Sequence, residues 1–338
     1  MAAERAASIR MDEEGLRARL EGVLRERFGG APRVGSLERT HSEFATVFPA
    51  DVLRVTMDDG RELQIFLKHL GDTDHPEKKT PDKEIRIYAE LLADADVPVP
   101  AYYGSGWNAE TGRHELFLEY IDDWSLKYQD LEEWYRAAAA LADFHAAFAV
   151  RAEDLRACDA LPALDEPYYA GVAARAREQL SRHTPALADP LDEVLRGYEE
   201  VIAVLTQAPP TLVNADLSPR NVIADRSRTP SRLAFIDWES AGRGCGVLDI
   251  VHLAYGLRGE PRRRMLDAYF GGLEGTPLEP ASGAARRRLV AASEAHKTMY
   301  RLARCNYRGY SAETTETLVG IARASREALR RASRSGLP

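Results

Sequence analysis

Two acidic residues and an asparagine lie in short polar turns between apolar runs, and they limit the possible folds more than any other feature. Asp216 and Asn221 follow the apolar residues 212–213, and Asp237 ends the run 233–236. Carboxylates and a carboxamide held at strand ends can orient a hydroxyl and bind Mg²⁺, which phosphoryl transfer requires. By itself, Asp-x-x-x-x-Asn is also the pattern of an ordinary surface turn. The rest of the chain bears on this choice.

A lysine lies inside a predicted strand. The chain has six lysines against 39 arginines, and Lys68 falls in the largely apolar run 63–70. Strand alternation places its side chain on the same face as Phe66 and Leu70. A lysine between large apolar neighbours loses hydration and needs an anion. A structural ion pair or a solvated edge strand also explains this position.

The candidate anion is Glu84, in the first turn of a predicted helix. Thr80 has the pattern of an N-cap, and Pro81 suits the first helical position. Ile85 begins the face that packs. Sixteen residues separate Lys68 from Glu84, enough for one loop and the first turn of a helix packed on the strand. An exposed glutamate favoured by the helix dipole is the alternative.

Together these features resemble the protein-kinase-like fold. Their local sequence resembles the aminoglycoside phosphotransferase family and its choline-kinase-like relatives. The family likeness is carried by residues 84–88 with 97–100, by residues 141–146, and by residues 236–239 with 248–250. It covers roughly residues 35 to 260.

The resemblance implies an α+β fold with two lobes. The smaller lobe is an antiparallel sheet that carries one helix, and the larger lobe is mainly helical. We expect the first lobe in residues 1–120, with an N-terminal helix at about 12–28, and the second in residues 121–338. Helical periodicity predicts one helix over residues 189–206 of the second lobe.

The resemblance also implies roles for the polar residues. Asp216 is expected to be the catalytic carboxylate, and Asn221 and Asp237 are expected to be magnesium ligands. Lys68, held by Glu84, is expected to contact the α- and β-phosphates of ATP. The implied cofactors are therefore ATP and Mg²⁺.

Two further segments are expected to meet the nucleotide. Glu119 to Ile121 follow the strand 116–118 and match the hinge whose backbone groups contact the purine. Ser42, in the loop 40–46, can contact phosphate, although that loop lacks glycines and can equally be a plain hairpin turn.

The implied activity is transfer of the γ-phosphate of ATP to a hydroxyl of a small molecule. The acceptor is expected to be an aminoglycoside-like antibiotic, an amino alcohol or a sugar-bearing metabolite. A non-catalytic nucleotide-binding or scaffold relative of the same fold is the alternative. A protein kinase is disfavoured because no Asp-Phe-Gly and no Ala-Pro-Glu follow at Asp237.

The chain departs from the family pattern at two places. The family usually has His-Gly-Asp where this chain has Asn214, Ala215 and Asp216. Asn214 can still make one scaffold hydrogen bond, and Ala215 suffices if its position needs only an ordinary φ and ψ. The family also tends to have Gly-Asp-Pro where residues 244–246 read Gly-Cys-Gly, so one acid is missing there.

Other residues allow two interpretations each. Asp249 is either a buried acid that braces the catalytic loop or a solvent-facing one, and His145 is assigned a structural role. The acidic and aromatic segment 122–134 can receive a cationic amine, or it can be a solvated helix entry. Tyrosines of the second lobe either line a pocket or fill the core. They are Tyr168, Tyr169, Tyr300, Tyr307 and Tyr310.

Composition narrows the class of partner. The 338 residues carry a net charge of −8, which does not favour nucleic acid or an anionic membrane. The three cysteines are far apart, which argues against a disulfide framework or a zinc site. The first ten residues lack the apolar core of a signal peptide, so a cytoplasmic enzyme is expected. Its oligomeric state is left open.

Overall fold

The computed structural model describes residues 12–43, 47–73 and 80–334, and it divides into two compact units. The first consists of the described part of Met1–Ser125 together with Ile223–Glu239. The second consists of Leu126–Val222 with the described part of Ser240–Pro338. The segment that carries Asp237 therefore belongs to the first unit, whereas the sequence-based division placed everything after residue 120 in the second.

The described residues form nine strands and eleven α-helices. The strands are β1 (Val34–His41), β2 (Ala50–Met57), β3 (Glu62–Leu70), β4 (Tyr102–Asn108), β5 (Arg113–Glu119), β6 (Pro210–Val213), β7 (Val222–Asp225), β8 (Arg232–Phe235) and β9 (Gly242–Cys245). The α-helices are α1 (Glu13–Phe28), α2 (Lys83–Ile87), α3 (Leu131–Ala149), α4 (Ala152–Ala157), α5 (Glu166–His183), α6 (Ala188–Leu195), α7 (Tyr198–Gln207), α8 (Val247–Leu253), α9 (Gly259–Gly272), α10 (Gly283–Leu302) and α11 (Ala312–Arg334).

The first unit is built on an antiparallel sheet with the strand order β1-β2-β3-β5-β4. Helix α1 begins after Asp12, whose side chain accepts a hydrogen bond from Gly15 N at 2.8 Å. The leucines of α1 are buried with Ile65 and Leu67 of β3 in one hydrophobic core. Because side chains alternate along a strand, Lys68 points to the opposite face of the sheet.

Helix α2 begins two residues later than the sequence predicts. Thr80 is not an N-cap, since the helix begins at Lys83. Lys83 N donates to Thr80 O at 3.2 Å, so Thr80 to Lys83 form a turn with Pro81 at its second position. Proline suits that position of a turn as well as a helix start, which explains the error. The helix continues as a π-helical segment, Tyr88–Leu92.

The second unit is mainly helical, and one of its predicted helices is interrupted. The helix expected over 189–206 is split into α6 and α7 at Gly197, which has a φ of 110°. A left-handed residue cannot continue a right-handed helix. A Cβ at this position would also lie 2.6 Å from Arg326 Nη2, so a larger residue would displace that guanidinium.

A small ribbon positions the Asp216 loop within the second unit. Strands β6 and β9 pair antiparallel, with Val213 opposite Gly242. The loop that carries Asp216 follows β6, and α8 follows β9 directly. Asp249 of α8 lies next to the start of the loop, where it accepts hydrogen bonds from Asn214 N and Ala215 N. Within the described residues, no helix combines the length and the hydrophobicity that a membrane span requires.

Candidate active site

Lys68 lies at the centre of an acidic cluster in the first unit. Its Nζ is 2.6 Å from Glu84 Oε2 and 3.2 Å from Asp237 Oδ1. Glu239 Oε2 is 3.8 Å away. The side chains of Lys68 and Glu84 are only 14% and 3% exposed, so their ion pair is nearly free of solvent. The pairing expected from the sequence separation is present, while the catalytic roles of the two residues stay predictions.

Burial and the neighbouring carboxylates shift the pKa of Lys68 in opposite directions. Burial alone would lower the pKa of the Lys68 ammonium. The carboxylates of Glu84, Asp237 and Glu239 outweigh burial and raise the pKa of Lys68 well above its usual value. Lys68 is therefore a permanent cation at neutral pH, as a phosphate ligand must be.

The backbone at Asp237 is in a conformation that side-chain-bearing residues rarely adopt. Its φ is 64°, which costs about 1–2 kcal/mol for a residue other than glycine. Two hydrogen bonds from Trp238 hold the turn. The Trp238 N–H donates to Glu84 Oε1 at 3.2 Å, and its indole Nε1 donates to Phe235 O at 3.1 Å. A strained residue that its neighbours hold in place is typical of a functional site.

The acidic cluster has donors that suit a hard divalent cation. Carboxylate oxygens of Glu84, Asp237 and Glu239 lie within 4.8 Å of one another. Mg²⁺ prefers one or two carboxylates and completes its shell with water and substrate phosphates. The Asp237 side chain is 38% exposed and can be reached from solvent. Glu239 was not assigned a role from the sequence, although it follows Asp237 by two residues and was visible in the same motif.

The loop of Asp216 is held by a buried acid. Asp249 accepts hydrogen bonds from Asn214 N at 2.7 Å and Ala215 N at 2.8 Å, so it braces the loop, and the solvent-facing alternative is wrong. Asp216 N donates to Asn214 Oδ1 at 3.2 Å, and Asn221 Nδ2 donates to Asp216 O at 3.1 Å. Asn214 thus takes part in the scaffold. The magnesium role of Asn221 stays a prediction.

His145 contacts Asp249, the acid that holds this loop, and has the expected structural role. It is fully buried, with Nε2 3.3 Å from Asp249 Oδ2 and Nδ1 2.8 Å from the Tyr269 hydroxyl. The missing acid of the family pattern is replaced here by Cys245. Burial raises the pKa of that thiol to about 12, so it is neutral and cannot act in place of a carboxylate.

Ala215 has a φ of 63°, so its position does not have an ordinary φ and ψ. We expect Ala215→Gly to stabilise the protein by about 1 kcal/mol, because glycine adopts a left-handed backbone without steric cost. Urea unfolding measures this gain. Ala254→Gly is the control, since Ala254 is also buried but has a φ of −75° and should lose stability. Equal losses in both variants would contradict the interpretation.

The carboxylate of Asp216 lies between a cation and an imidazole. Arg304 Nη1 is 3.3 Å from Oδ2, and His252 Nδ1 is 3.9 Å from Oδ1. Burial and then the nearby cations, among them Lys297 and Arg304, lower the pKa of His252 well below its usual value. His252 is therefore neutral near pH 7. Neither Arg304 nor His252 was expected here from the sequence.

A cavity of about 130 Å³ adjoins Asp216 in the second unit. Tyr300 and Tyr310 line it, together with Tyr255. Of the five tyrosines considered, Tyr300 and Tyr310 therefore line a pocket, whereas Tyr307 is exposed and fits neither interpretation. Tyr168 and Tyr169 instead pack against the ring of His296, with centroids 5.7 and 4.7 Å away.

Three of the five acids of the segment 122–134 are engaged in local structure. Asp123 accepts from Arg226 N at 2.7 Å and from its guanidinium at 3.0 Å. Asp130 caps α3, and Glu133 lies 2.7 Å from Arg136 Nη1. These contacts favour the helix-entry interpretation.

The predicted hinge is partly occupied by contacts within the first unit. Glu119 N donates to Ala101 O at 2.8 Å, and Tyr120 N donates to Gln64 O at 2.9 Å. The Glu119 carboxylate binds Arg232, with Nη2 2.7 Å from Oε2. In the described part of the chain, the N–H of Ile121 has no hydrogen-bond acceptor. Within this segment, Ile121 is therefore the residue best placed to donate to a base.

Ser42 is nearly buried, and its N–H donates to Ala50 O at 2.8 Å at the end of the β1–β2 hairpin. Part of the loop beside it, residues 44–46, lies outside the described residues. A contact between Ser42 and phosphate stays a prediction. The observed hydrogen bond is that of a hairpin turn.

A family model described as "Phosphotransferase enzyme family" matches residues 50–289. The match covers more than half of the chain and includes Lys68, Glu84, Asp216 and Asp237. No curated protein sequence matches the chain significantly.

Several solved structures have a similar fold. A putative aminoglycoside phosphotransferase from Ralstonia eutropha JMP134 is 17% identical with a TM-score of 0.61, over 97% of this chain and 100% of that chain. APH(2″)-IIIa in complex with GDP and kanamycin is 15% identical with a TM-score of 0.57, over 94% and 98%. Macrolide 2′-phosphotransferase MphH from Brachybacterium faecium is 17% identical with a TM-score of 0.54, over 90% and 97%. These similarities confirm the α+β, protein-kinase-like fold class expected from the sequence.

Proposed function

Because the chain belongs to the phosphotransferase enzyme family, we propose that it transfers the γ-phosphate of ATP to a hydroxyl of a small molecule, with Mg²⁺ as cofactor. Membership confirms the resemblance drawn from the sequence, and the chain is a small-molecule kinase. The observation that best supports the finer proposal is the Lys68 ammonium, which lies within hydrogen-bond distance of both Glu84 and Asp237. A lysine whose ammonium is held in place and kept charged by these carboxylates can bind phosphate.

The nucleotide is assigned to the first unit. Lys68 binds the α- and β-phosphates, and Glu84 fixes the position of its ammonium. Ile121 N–H donates to the purine, since the N–H groups of Glu119 and Tyr120 are used within the sheet. The structural neighbour APH(2″)-IIIa is a GDP complex, which supports a nucleotide site in this fold.

Magnesium is assigned to Asp237, with Asn221 as the second expected ligand and Glu239 as a further carboxylate beside it. Glu84 already accepts from Lys68 and Trp238, so it serves better as a positioning residue. When bound, Mg²⁺ neutralises the charge of the transferred phosphate. Oxygen donors alone, with one side chain open to solvent, fit a hard cation that keeps some of its waters.

Asp216 acts on the acceptor. Its carboxylate accepts a hydrogen bond from the acceptor hydroxyl and orients it towards the γ-phosphorus. A bond forms between the hydroxyl oxygen and phosphorus while the bond from phosphorus to the ADP oxygen breaks. The hydroxyl proton passes to Asp216 and then to solvent. The products are ADP and a phosphate monoester. We place this reaction in the cytoplasm, without a nucleic-acid or membrane partner.

Nucleotide binding and transfer can be tested together. Mg-ATP at about 100 times its Kd should add about 2.7 kcal/mol to the free energy of unfolding. ATP with a chelator should add much less, because the phosphates then lack their counterion. A mass-spectrometric screen over hydroxyl-bearing metabolites and antibiotics should find one product heavier by one phosphoryl group.

The outcomes separate the two functions weighed for this fold. Stabilisation by Mg-ATP together with a phosphorylated product supports the kinase. Stabilisation without transfer to any acceptor, even with prolonged incubation, would favour a nucleotide-binding scaffold. No stabilisation at all would reject both.

A further inference from the structure

The wall of the cavity beside Asp216 is basic. Lys297, Arg301, Arg304 and Arg308 line it, and Asp216 is the carboxylate among its lining residues. Four cations against one carboxylate make an unusual acceptor site for a polycationic amine. Such a site attracts an anion, because opposite charges in a partly desolvated cavity interact more strongly than in water.

Two of these cations are compensated within the protein. Arg304 lies 3.3 Å from Asp216 and stacks on the Tyr300 ring, with its guanidinium carbon 3.9 Å from the ring centroid. Lys297 Nζ lies 3.0 Å from Glu294 Oε2, and burial lowers the pKa of Lys297. These two residues therefore contribute less to the attraction of a ligand.

Arg301 and Arg308 are not compensated by acids. Arg301 Nη1 donates to the Tyr255 hydroxyl at 2.7 Å, and the Arg308 guanidinium lies 5.7 Å from the Tyr307 ring centroid. Across residues 12–43, 47–73 and 80–334, neither forms an ion pair with a carboxylate. Two guanidinium groups at one cavity have free donors for a carboxylate or a phosphate, both of which arginine binds in a bidentate manner.

Nearby basic residues also act on His252, which lines the same cavity. After burial, Lys297, His296, Arg304 and Arg301, in that order, lower the pKa of its imidazole. A site that disfavours an added positive charge on an imidazole also disfavours a cationic ligand. None of the acids of residues 122–134 is among the lining residues of this cavity.

We propose that the acceptor is a small alcohol that carries a carboxylate or a phosphate group. The inference rests on the proposed kinase function and names its substrate class. Arg301 and Arg308 bind the anionic group, and the hydroxyl of the same molecule lies at Asp216. The cavity volume of about 130 Å³ is below the ~300–1,000 Å³ of pockets that hold drug-sized ligands, which favours a compact acceptor over an oligosaccharide antibiotic.

Three-carbon probes of equal size test the proposal by isothermal titration. They are glycerate, glycerol and 3-aminopropane-1,2-diol, which differ in charge, and glycerol 3-phosphate separates a phosphate from a carboxylate. We expect one of the two anions to bind about tenfold or more tightly than the cationic probe. Its affinity should fall with added salt, because the attraction is between charges near solvent.

Variants of the two arginines test whether they bind the anionic group. Arg301→Gln and Arg308→Gln should each weaken binding of the preferred anion about tenfold and leave the weak binding of glycerol unchanged. Arg287→Gln, on the exposed side of the same helix as Arg301, is the matched control and should change neither. Arg308 is exposed, so its variant should fold even if Arg301→Gln does not.

The results are decisive in each direction. Equal or undetectable binding of all four probes, or preference for the amine, would overturn the anionic acceptor. So would an unchanged affinity for the anion in both arginine variants. Stabilisation by Mg-ATP is measured on the same preparation, so a failed substrate class is distinguished from a failed kinase function. Phosphorylation of an aminoglycoside in preference to hydroxy acids would confirm the kinase and reject this proposal.

Discussion

Replacing Asp216 with asparagine is expected to lower kcat by about 10²–10⁴-fold while the Kd for Mg-ATP stays nearly unchanged. Asparagine has the shape of aspartate but lacks the negative charge that orients the acceptor hydroxyl and accepts its proton. The loop should keep its conformation, because Asp249 holds it through the backbone N–H groups of Asn214 and Ala215. Steady-state kinetics with the identified acceptor and thermal shift with Mg-ATP measure the two quantities.

A matched control for this variant lies on α3. Asp130 is an exposed N-cap, and asparagine caps helices as well as aspartate does, so Asp130→Asn should leave kcat and stability unchanged. The variant Asp216→Asn also leaves Arg304 without its partner, which can alter the affinity for the acceptor. The kcat at saturating acceptor is therefore the decisive quantity. Retention of more than about a tenth of kcat would exclude Asp216 as the residue that positions the hydroxyl.

Residues whose chemistry conflicts with their local environment were predictable from the sequence. Lys68 was identified because a lysine in an apolar strand needs an anion, and Glu84 because a helix at that separation can supply one. The structure contains this ion pair. Asp249 was predictable in the same way, as an acid in the apolar run of a helix. In each case a charged residue occurs in an apolar segment and needs a partner, and the fold supplies that partner.

Backbone conformation was harder to predict than residue identity. Ala215 and Asp237 both have a positive φ, which no side-chain pattern indicates because such strain is compensated by tertiary contacts. The break at Gly197 had a sequence signal, since glycine is unfavourable inside a helix. The apolar periodicity on both sides nevertheless favoured one continuous helix. Its close approach to Arg326 of α11 is a tertiary contact and was not visible.

The basic cavity was not predicted, although the spacing of its basic residues is visible in the sequence. Lys297 and Arg301 are spaced by four residues, which places them on one face at the end of α10, and Arg304 follows in the turn after the helix. A basic stripe is usually a solvated helix face, and net charge pointed the other way, since the chain is acidic overall. Only the fold brings this face to Asp216, which lies 88 residues before Arg304. Substrate class therefore depends on a long-range contact that local patterns do not encode.

The second large effect is expected at Lys68. Lys68→Met should lower kcat/KM by about 10²–10³-fold, because it removes a preorganised cation from the phosphates. It should also destabilise the protein by about 3–5 kcal/mol, since Glu84 is left as a buried and uncompensated charge. Activity and stability therefore fall together in this single variant. Kinetics and urea unfolding would record both losses without telling which one causes the other.

The double variant Lys68→Met/Glu84→Gln separates them. Glutamine is neutral and can still accept the hydrogen bond from Trp238 N, so most of the lost stability should return. Activity should not return, because no cation remains to bind phosphate. Lys127→Met, at an exposed lysine of the second unit, is the control and should change neither quantity. If restoring stability also restores kcat/KM, Lys68 holds the fold together and does not bind the nucleotide, and the assignment of the first unit to ATP is wrong.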